Sequence, residues 1–145
     1  MNVREISAAE AHDTLTRHPD AVYLDVRTEE EFEAGHPAGA RNVPVLFFRP
    51  GSSPQANADF VAVVERNLPR NTKLIVGCQA GGRSRHACEL LMEAGFTDVI
   101  NVRGGFGGAR DRSGAVIEAG WRDAGLPVES GAPAGARYAD LVGGK

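Results

Sequence analysis

The sequence predicts one α/β domain with a mainly parallel central sheet and helices on both of its faces. Three compact apolar runs, "AVYLDV", "KLIVGC" and "DVINV", are typical of buried strands. Segments with helix-start signals and helical periodicity lie between these runs. This alternation of strands and helices along the chain favours a parallel sheet.

The first two predicted helices share a start signal. Ser7 precedes "AAEAHDTL" with Glu10 three residues later, and Thr28 precedes "EEEFEAG" with Glu31 three residues later. In such a capping box, the two side chains bind the free backbone N–H groups of the helix start. Gly35 is the expected end of the second helix.

The middle of the chain predicts a short strand and two further helices. "HPAGARNVPV" predicts a loop and then a strand that ends at Pro44, and "RPGSSPQAN" predicts surface turns. "ADFVAVVERNL" and "GRSRHACELLMEAG" each predict a helix with one buried face. The apolar residues on these faces are Phe60, Val63, Val64 and Leu68 in the first helix, and Ala87, Leu90, Leu91 and Ala94 in the second.

The last part of the chain has weaker signals. After Gly104–Gly105, "SGAVIEAGWRDAG" predicts a short strand or turn and then a short helix. We assign residues 1–128 to the domain. Residues 129–145 are rich in Gly and Ala, and we expect a mobile tail unless Tyr138 and Leu141 dock on the domain.

The composition argues against several classes of protein. The chain has 145 residues, a net charge of −3 and no basic run, which disfavours nucleic-acid binding. Its longest apolar stretches are too short to span a membrane, and "MNVREISAAE" lacks a signal core. Two cysteines and scattered histidines predict neither a disulfide scaffold nor a metal site. We expect a cytoplasmic protein that is a monomer or a weak dimer.

A cysteine stands at the end of the second strand, in "GCQAGGRSR". Cys78 therefore lies at the carboxyl edge of the sheet, where α/β proteins bind ligands. The helix that begins near Gly82 or Arg83 points its free N–H groups toward this edge. Ala80 and Gly81 are small enough for the loop to curl into a nest of amides around an anion.

These features predict a nucleophilic cysteine beside an anion site. The amides, the helix start and the charge of Arg83 stabilise a thiolate, the nucleophilic form of cysteine. The implied chemistry is attack by Cys78 on a small anionic substrate. An inert buried cysteine is the simpler alternative, and the coincidence of glycines, arginine and helix start disfavours it.

At these residues the sequence resembles the rhodanese family, and above all its small single-domain members of the senescence-associated type and their bacterial relatives. "CQAGGR" matches the active-site pattern Cys-x-x-Gly-x-Arg. "YLDVRTEEEF", "GHPAGARNVP", "VRGGF" and "WRDAGLPV" resemble other segments of that family in the same order. The likeness runs from about Val3 to Val128.

The resemblance implies a sulfurtransferase without a metal or an organic cofactor. The Cys78 thiolate would take the outer sulfur of a small anionic donor such as thiosulfate and become a persulfide. Cyanide, a thiol or a protein acceptor would then remove that sulfur. The residues expected to bind substrate are Arg83, Gln79, Ala80, Gly81 and Gly82.

Other polar residues are assigned supporting or structural roles. Asp25 and Arg27 end the first strand at the same sheet edge as the cysteine, where a hydrogen-bonded network is favoured over tuning of the site. Ser84 is a further supporting residue. His36 lies in the tight turn "GHPAGA" and is expected to be structural. Cys88 lies roughly 9 Å along its helix, which is too far for a disulfide with the loop cysteine.

The segment "FGGARDRSGAVIEAG" separates Gly104–Gly105 from Trp121 by more residues than in many relatives. We hypothesise that it shapes the mouth of the pocket, with Arg103, Arg110 and Arg112 adding positive charge. A solvated surface loop is the alternative.

Two other functions stay open. Cysteine phosphatases and arsenate reductases also use a cysteine–arginine anion loop, although their loops are longer than Gln79 to Gly82. A non-catalytic interaction module, or a persulfide carrier that hands sulfur to one protein, would keep the same fold.

Overall fold

Eleven short strands and five helices occupy residues 2–143, the part of the chain that the computed structural model describes. The strands are Arg4–Ile6 (β1), Val22–Asp25 (β2), His36–Pro37 (β3), Arg41–Asn42 (β4), Leu46–Phe47 (β5), Gln55–Ala56 (β6), Leu74–Gly77 (β7), Val99–Val102 (β8), Ala109–Arg110 (β9), Val116–Glu118 (β10) and Val128–Glu129 (β11). The helices are Ala8–Arg17 (α1), Glu29–Ala34 (α2), Phe60–Asn67 (α3), Gly82–Glu93 (α4) and Tyr138–Gly143 (α5).

The central sheet has five strands in the order β1-β8-β7-β2-β4, and every pairing in it is parallel. This confirms the predicted α/β class. Asp25 lies opposite Gly77, and Val76 lies opposite Asn101, so the carboxyl ends of β2, β7 and β8 meet at one edge. The edge strand β1 was not predicted, because its three half-exposed residues resemble a surface segment.

Helices cover both faces of the sheet, as predicted. Because side chains alternate along a strand, Leu24 faces one core and Tyr23 faces the other. Residues of α3, α4 and α5 line the first core, and residues of α1 and α2 line the second. Both predicted capping boxes are present, at Ser7 and at Thr28.

The predicted short helix after residue 120 is wrong. Residues 121–125 form hydrogen-bonded turns, in which Ala124 N donates to Gly120 O and Gly125 N to Arg122 O. Trp121 at their start is 1 % exposed, and its indole N–H donates to Pro127 O at 2.7 Å. That bond closes the turns against the core.

The segment after residue 128 lies against the domain. Strand β11 pairs with β3, Leu141 is 5 % exposed, and the Tyr138 hydroxyl accepts a bond from Asn57 Nδ2 at 3.1 Å. Residues 129–143 are therefore docked on the domain and do not form a mobile tail. The domain boundary at residue 128 stays a prediction. Residues 144–145 lie outside the described part. Within residues 2–143, none of the helices combines the length and apolar character that spanning a bilayer requires.

Candidate active site

Cys78 directly follows β7, and residues 79–81 connect it to the start of α4. Its Sγ accepts a hydrogen bond from Gly81 N at 3.1 Å, and the residue is 2 % exposed. Gly81 has φ +113°, a left-handed conformation that favours glycine, and this turns its N–H back toward the sulfur. A Cβ at this position would lie 2.4 Å from Arg103 O, so the loop depends on glycine here.

A polar chain runs behind the sulfur to the surface. Ser84 Oγ lies 3.4 Å from Cys78 Sγ and also bonds to Gly81 O and to Asn101 Oδ1. Asn101 Nδ2 donates to Glu5 Oε2 at 2.8 Å. Sequence reasoning missed Asn101 and Glu5, because they reach the site from β8 and from the unpredicted strand β1.

The glycine-rich segment after β8 clamps the cysteine loop through its backbone. Phe106 N donates to Cys78 O at 2.7 Å, and Gly107 N donates to Gln79 O at 2.9 Å. Gly105 has φ +57°, and a Cβ there would lie 2.3 Å from Cys78 O. The double glycine Gly104–Gly105 therefore lies close to the cysteine loop.

Arg83 is not a free charge at the rim of the loop, contrary to expectation. Its guanidinium binds Glu31 through two bonds of 2.8 and 3.0 Å and lies 5.1 Å from the ring of Phe48. Glu31 also caps α2, so it is not the solvated charge that its position in "EEE" suggests. Burial raises the pKa of Glu31, but the bonds from Arg83 and Thr28 outweigh it and lower that pKa overall.

Asp25 and Arg27 form the structural network that was favoured for them. Both are nearly buried, and Arg27 Nη2 donates to Asp25 Oδ2 at 2.8 Å and to Gly35 O at 2.7 Å. Arg27 Nη1 donates to Gln79 Oε1 at 3.2 Å. The Asp25–Arg27 pair therefore positions the side chain of Gln79, the residue that follows Cys78.

A cleft of about 530 Å³ opens beside Gln79, and Phe106, Arg122 and Val128 form its other main walls. A larger cavity of about 890 Å³ lies at the amino ends of β2 and β7, the edge of the sheet opposite the cysteine. The smaller cleft is therefore the relevant one for chemistry at the loop.

The hypothesis that the segment "FGGARDRSGAVIEAG" shapes the mouth of the pocket is supported only for its first residue. Phe106 from its start shapes the cleft, but none of Arg103, Arg110 and Arg112 is among the described residues that line it. Arg103 binds Glu118 at 3.3 Å, and Arg110 donates to Gly114 O at 3.0 Å within the β9–β10 hairpin. These arginines belong to the surface, as the alternative proposed.

His36 and Cys88 have the structural surroundings expected of them. The ring nitrogens of His36 lie 2.6 Å from Phe32 O and 3.1 Å from Glu129 Oε1. Cys88 is fully buried, and burial raises its pKa to about 12. Within residues 2–143, no cluster of three or more His, Cys, Asp or Glu side chains is arranged to hold a metal ion.

The remaining loop residues differ in exposure. Ala80 and Gly82 are exposed, whereas Gly81 and Ser84 are buried against the sulfur. The arrangement places one nucleophilic sulfur among backbone and hydroxyl donors at a helix start. Such a site supports attack on a small anionic group and holds the negative charge that results.

Comparisons with known proteins agree with this geometry. A family model described as "Rhodanese-like domain" matches residues 7–111. The chain is 39% identical over 125 residues to "Thiosulfate sulfurtransferase 16, chloroplastic" of Arabidopsis thaliana, across 86% of this chain and 92% of that protein.

Two other proteins resemble the chain. It is 42% identical over 84 residues to "Senescence-associated protein DIN1" of Raphanus sativus, across 58% of this chain and 45% of that protein, so it spans about half of that relative. The crystal structure of Rv0390 from M. tuberculosis matches with a TM-score of 0.75 and 33% identity, over 90% of this chain and 100% of that one. These likenesses confirm the resemblance first seen in the motifs.

Proposed function

Because this chain belongs to the family of rhodanese-like domains, we propose that it is a sulfurtransferase that carries a sulfane sulfur as a persulfide on Cys78. The donor is thiosulfate or a similar compound, and the acceptor is cyanide or a thiol. The observation that supports this most directly is the Cys78 sulfur, 3.1 Å from Gly81 N at the start of α4. A helix start and an inward amide stabilise the negative charge that the sulfur carries during the transfer.

The first half-reaction transfers the outer sulfur of the donor to Cys78. The Cys78 thiolate attacks the outer sulfur of thiosulfate, the sulfur–sulfur bond of the donor breaks, and sulfite leaves with the electron pair. The terminal sulfur of the new persulfide carries the negative charge. Gly81 N and the hydroxyl of Ser84 contact Cys78 Sγ, beside this position, and stabilise that charge.

The second half-reaction transfers the sulfur from Cys78 to the acceptor. Cyanide or a thiolate attacks the terminal sulfur, and the electron pair of the broken bond returns to Cys78 Sγ. The products are thiocyanate or a small persulfide and the original thiolate. Arg83 is paired with Glu31 in the structure, so we assign the stabilisation of the anion to the loop amides and to the Ser84 hydroxyl.

Intact mass spectrometry tests the proposal. The protein is exposed briefly to thiosulfate and then to cyanide, with Cys78→Ser and Cys88→Ser in parallel. We expect the wild type and Cys88→Ser to gain one sulfur atom that cyanide removes, since the Cys88 thiol is buried and stays protonated. Cys78→Ser should gain none.

The same three proteins also distinguish sulfur transfer from the persulfide-carrier and phosphatase alternatives. A sulfur that reaches Cys88 instead of Cys78 would contradict the proposal. Loading without turnover to any small acceptor would favour a persulfide carrier, and robust hydrolysis of an aryl phosphate would favour the phosphatase class. The expected cytoplasmic location and the monomeric or weakly dimeric state stay predictions.

A further inference from the structure

We propose that the cleft beside the cysteine loop binds the sulfur acceptor and selects small thiols that carry a carboxylate. We call it the acceptor cleft and define it by Gln79, Phe106, Arg122 and Val128. The inference rests on the proposed sulfur transfer and names the acceptor class for that same site.

The acceptor cleft borders the cysteine loop at Gln79. Gln79 follows Cys78 directly, and Phe106 N donates to Cys78 O at 2.7 Å. Arg122 N in turn donates to Phe106 O at 3.1 Å. Two backbone hydrogen bonds thus connect the far wall of the cleft to the nucleophile, so a molecule bound there lies beside the loop.

The size and lining of the cleft suit an organic molecule. Its volume of about 530 Å³ is within the usual range for small-molecule sites and far exceeds that of thiosulfate or cyanide. The Phe106 ring and the 45 % exposed side chain of Val128 supply apolar walls. An exposed valine beside an aromatic ring fits the methylene groups of a ligand.

The charges at the cleft point to a carboxylate. Arg27 is committed to Asp25, to Gly35 O and to Gln79, and the Glu31 carboxylate is neutralised by Arg83. These two groups therefore offer little net charge to a ligand.

Arg122 is the available cation. Its guanidinium lies 5.6 Å from the Phe106 ring, and its side chain is 53% exposed. Within the described residues, its only ion-pair partner is the neighbouring Asp123, at 3.4 Å and 50% exposed. Such an exposed pair is weak, whereas a carboxylate ligand receives two parallel bonds from a guanidinium.

The transfer step balances without an added oxidant or reductant. The acceptor's thiolate attacks the terminal sulfur of the Cys78 persulfide, the sulfur–sulfur bond breaks, and its electron pair returns to Cys78 Sγ. The product is the acceptor's persulfide, which keeps its carboxylate on Arg122 until it leaves. Arg122 thus acts on specificity and not on the reacting atoms.

Three thiols of matched length test the inference. The wild type and Arg122→Gln are loaded with thiosulfate, freed of donor and checked for the added sulfur by mass. Discharge rates are then measured with 3-mercaptopropionate, 2-mercaptoethanol and cysteamine at one pH. Comparing each rate between wild type and variant cancels the intrinsic reactivity of each thiol. We expect Arg122→Gln to slow 3-mercaptopropionate by about tenfold and the other two by about twofold or less.

Two further variants are measured in the same way: Arg122→Glu reverses the charge in the acceptor cleft, and Arg112→Gln is the control outside it. Charge reversal at Arg122 should slow 3-mercaptopropionate further and leave cysteamine at least as fast as in wild type. Arg112 is exposed and lies outside the acceptor cleft, so its variant should not change the preference. Equal slowing of all three thiols by Arg122→Gln would overturn the acceptor site alone. A wild type that takes up no sulfur would overturn the proposed function and this inference together.

Discussion

The hydroxyl of Ser84 is the side-chain donor closest to the reactive sulfur. Its single proton has three acceptors within reach, Cys78 Sγ, Gly81 O and Asn101 Oδ1. Asn101 directs its Nδ2 to Glu5, so its Oδ1 faces Ser84 as an acceptor. Once the sulfur becomes a thiolate or a persulfide anion, it is the only charged acceptor of the three, and the proton is expected to turn toward it.

We predict that Ser84→Ala slows sulfur uptake from thiosulfate by about tenfold at neutral pH. The reason is the loss of a hydrogen bond to a charged group, which is worth about 1.5–3 kcal/mol. The measurement is the rate of persulfide formation by Ser84→Ala and by the conservative variant Ser84→Thr, which keeps a hydroxyl. An unchanged rate in Ser84→Ala would show that Ser84 only packs against the sulfur.

At the scale of elements, the ion pair between Arg83 and Glu31 joins the starts of two helices. Arg83 stands in the first turn of α4, and Glu31 stands in the first turn of α2. The side chains are 17% and 30% exposed, so the pair is partly screened by solvent. In the structure Arg83 therefore braces the cysteine loop against α2, while its expected contact with the substrate stays a prediction.

We predict that a double-mutant cycle of Glu31→Gln and Arg83→Gln gives a coupling free energy of about 1 kcal/mol in unfolding at neutral pH. The folded pKa of Glu31 is lowered, so this stability is present above the ordinary carboxyl value of about 4.3 and is lost as pH falls through the folded value. Urea unfolding at pH 7 and at pH 3 measures both. A coupling at pH 3 as large as that at pH 7 would contradict this account.

At the scale of the whole molecule, residues 129–143 are packed against the rest of the chain. Leu141 enters the core formed by α3 and α4, and Asn67 Nδ2 donates to Leu141 O at 2.9 Å. Near the other end of the segment, Glu129 accepts bonds from Gly39 N and from the ring of His36. Two separate anchors therefore hold this part of the chain.

We predict that Leu141→Ala lowers the free energy of unfolding by about 2 kcal/mol, because a buried leucine side chain is replaced by a small cavity. Val142→Ala in the same helix is the control, since Val142 is 39 % exposed and should change stability by less than about 0.5 kcal/mol. Thermal unfolding of both variants measures the difference. Equal stability of the two would show that α5 does not belong to the cooperative unit.

Signals that act over a few residues predicted much of this protein. Both capping boxes, the glycine stops and the apolar strands depend on neighbours within about four residues. The cysteine loop is also local, because Gly81 N and Ser84 reach Cys78 Sγ across three and six residues. Sequence alone therefore determined the α/β class, the place of the cysteine loop and the donors that reach its sulfur.

Partnerships between distant residues were decided only by the tertiary structure. Arg83 meets Glu31 across 52 residues, and Asn101 meets Glu5 across 96. Whether a charged side chain faces a ligand, a partner or water depends on which elements the sheet order brings together. No local pattern contains that information, because every arginine in this sequence carries the same charge. The fold alone neutralised Arg83 and left Arg122 available at the acceptor cleft.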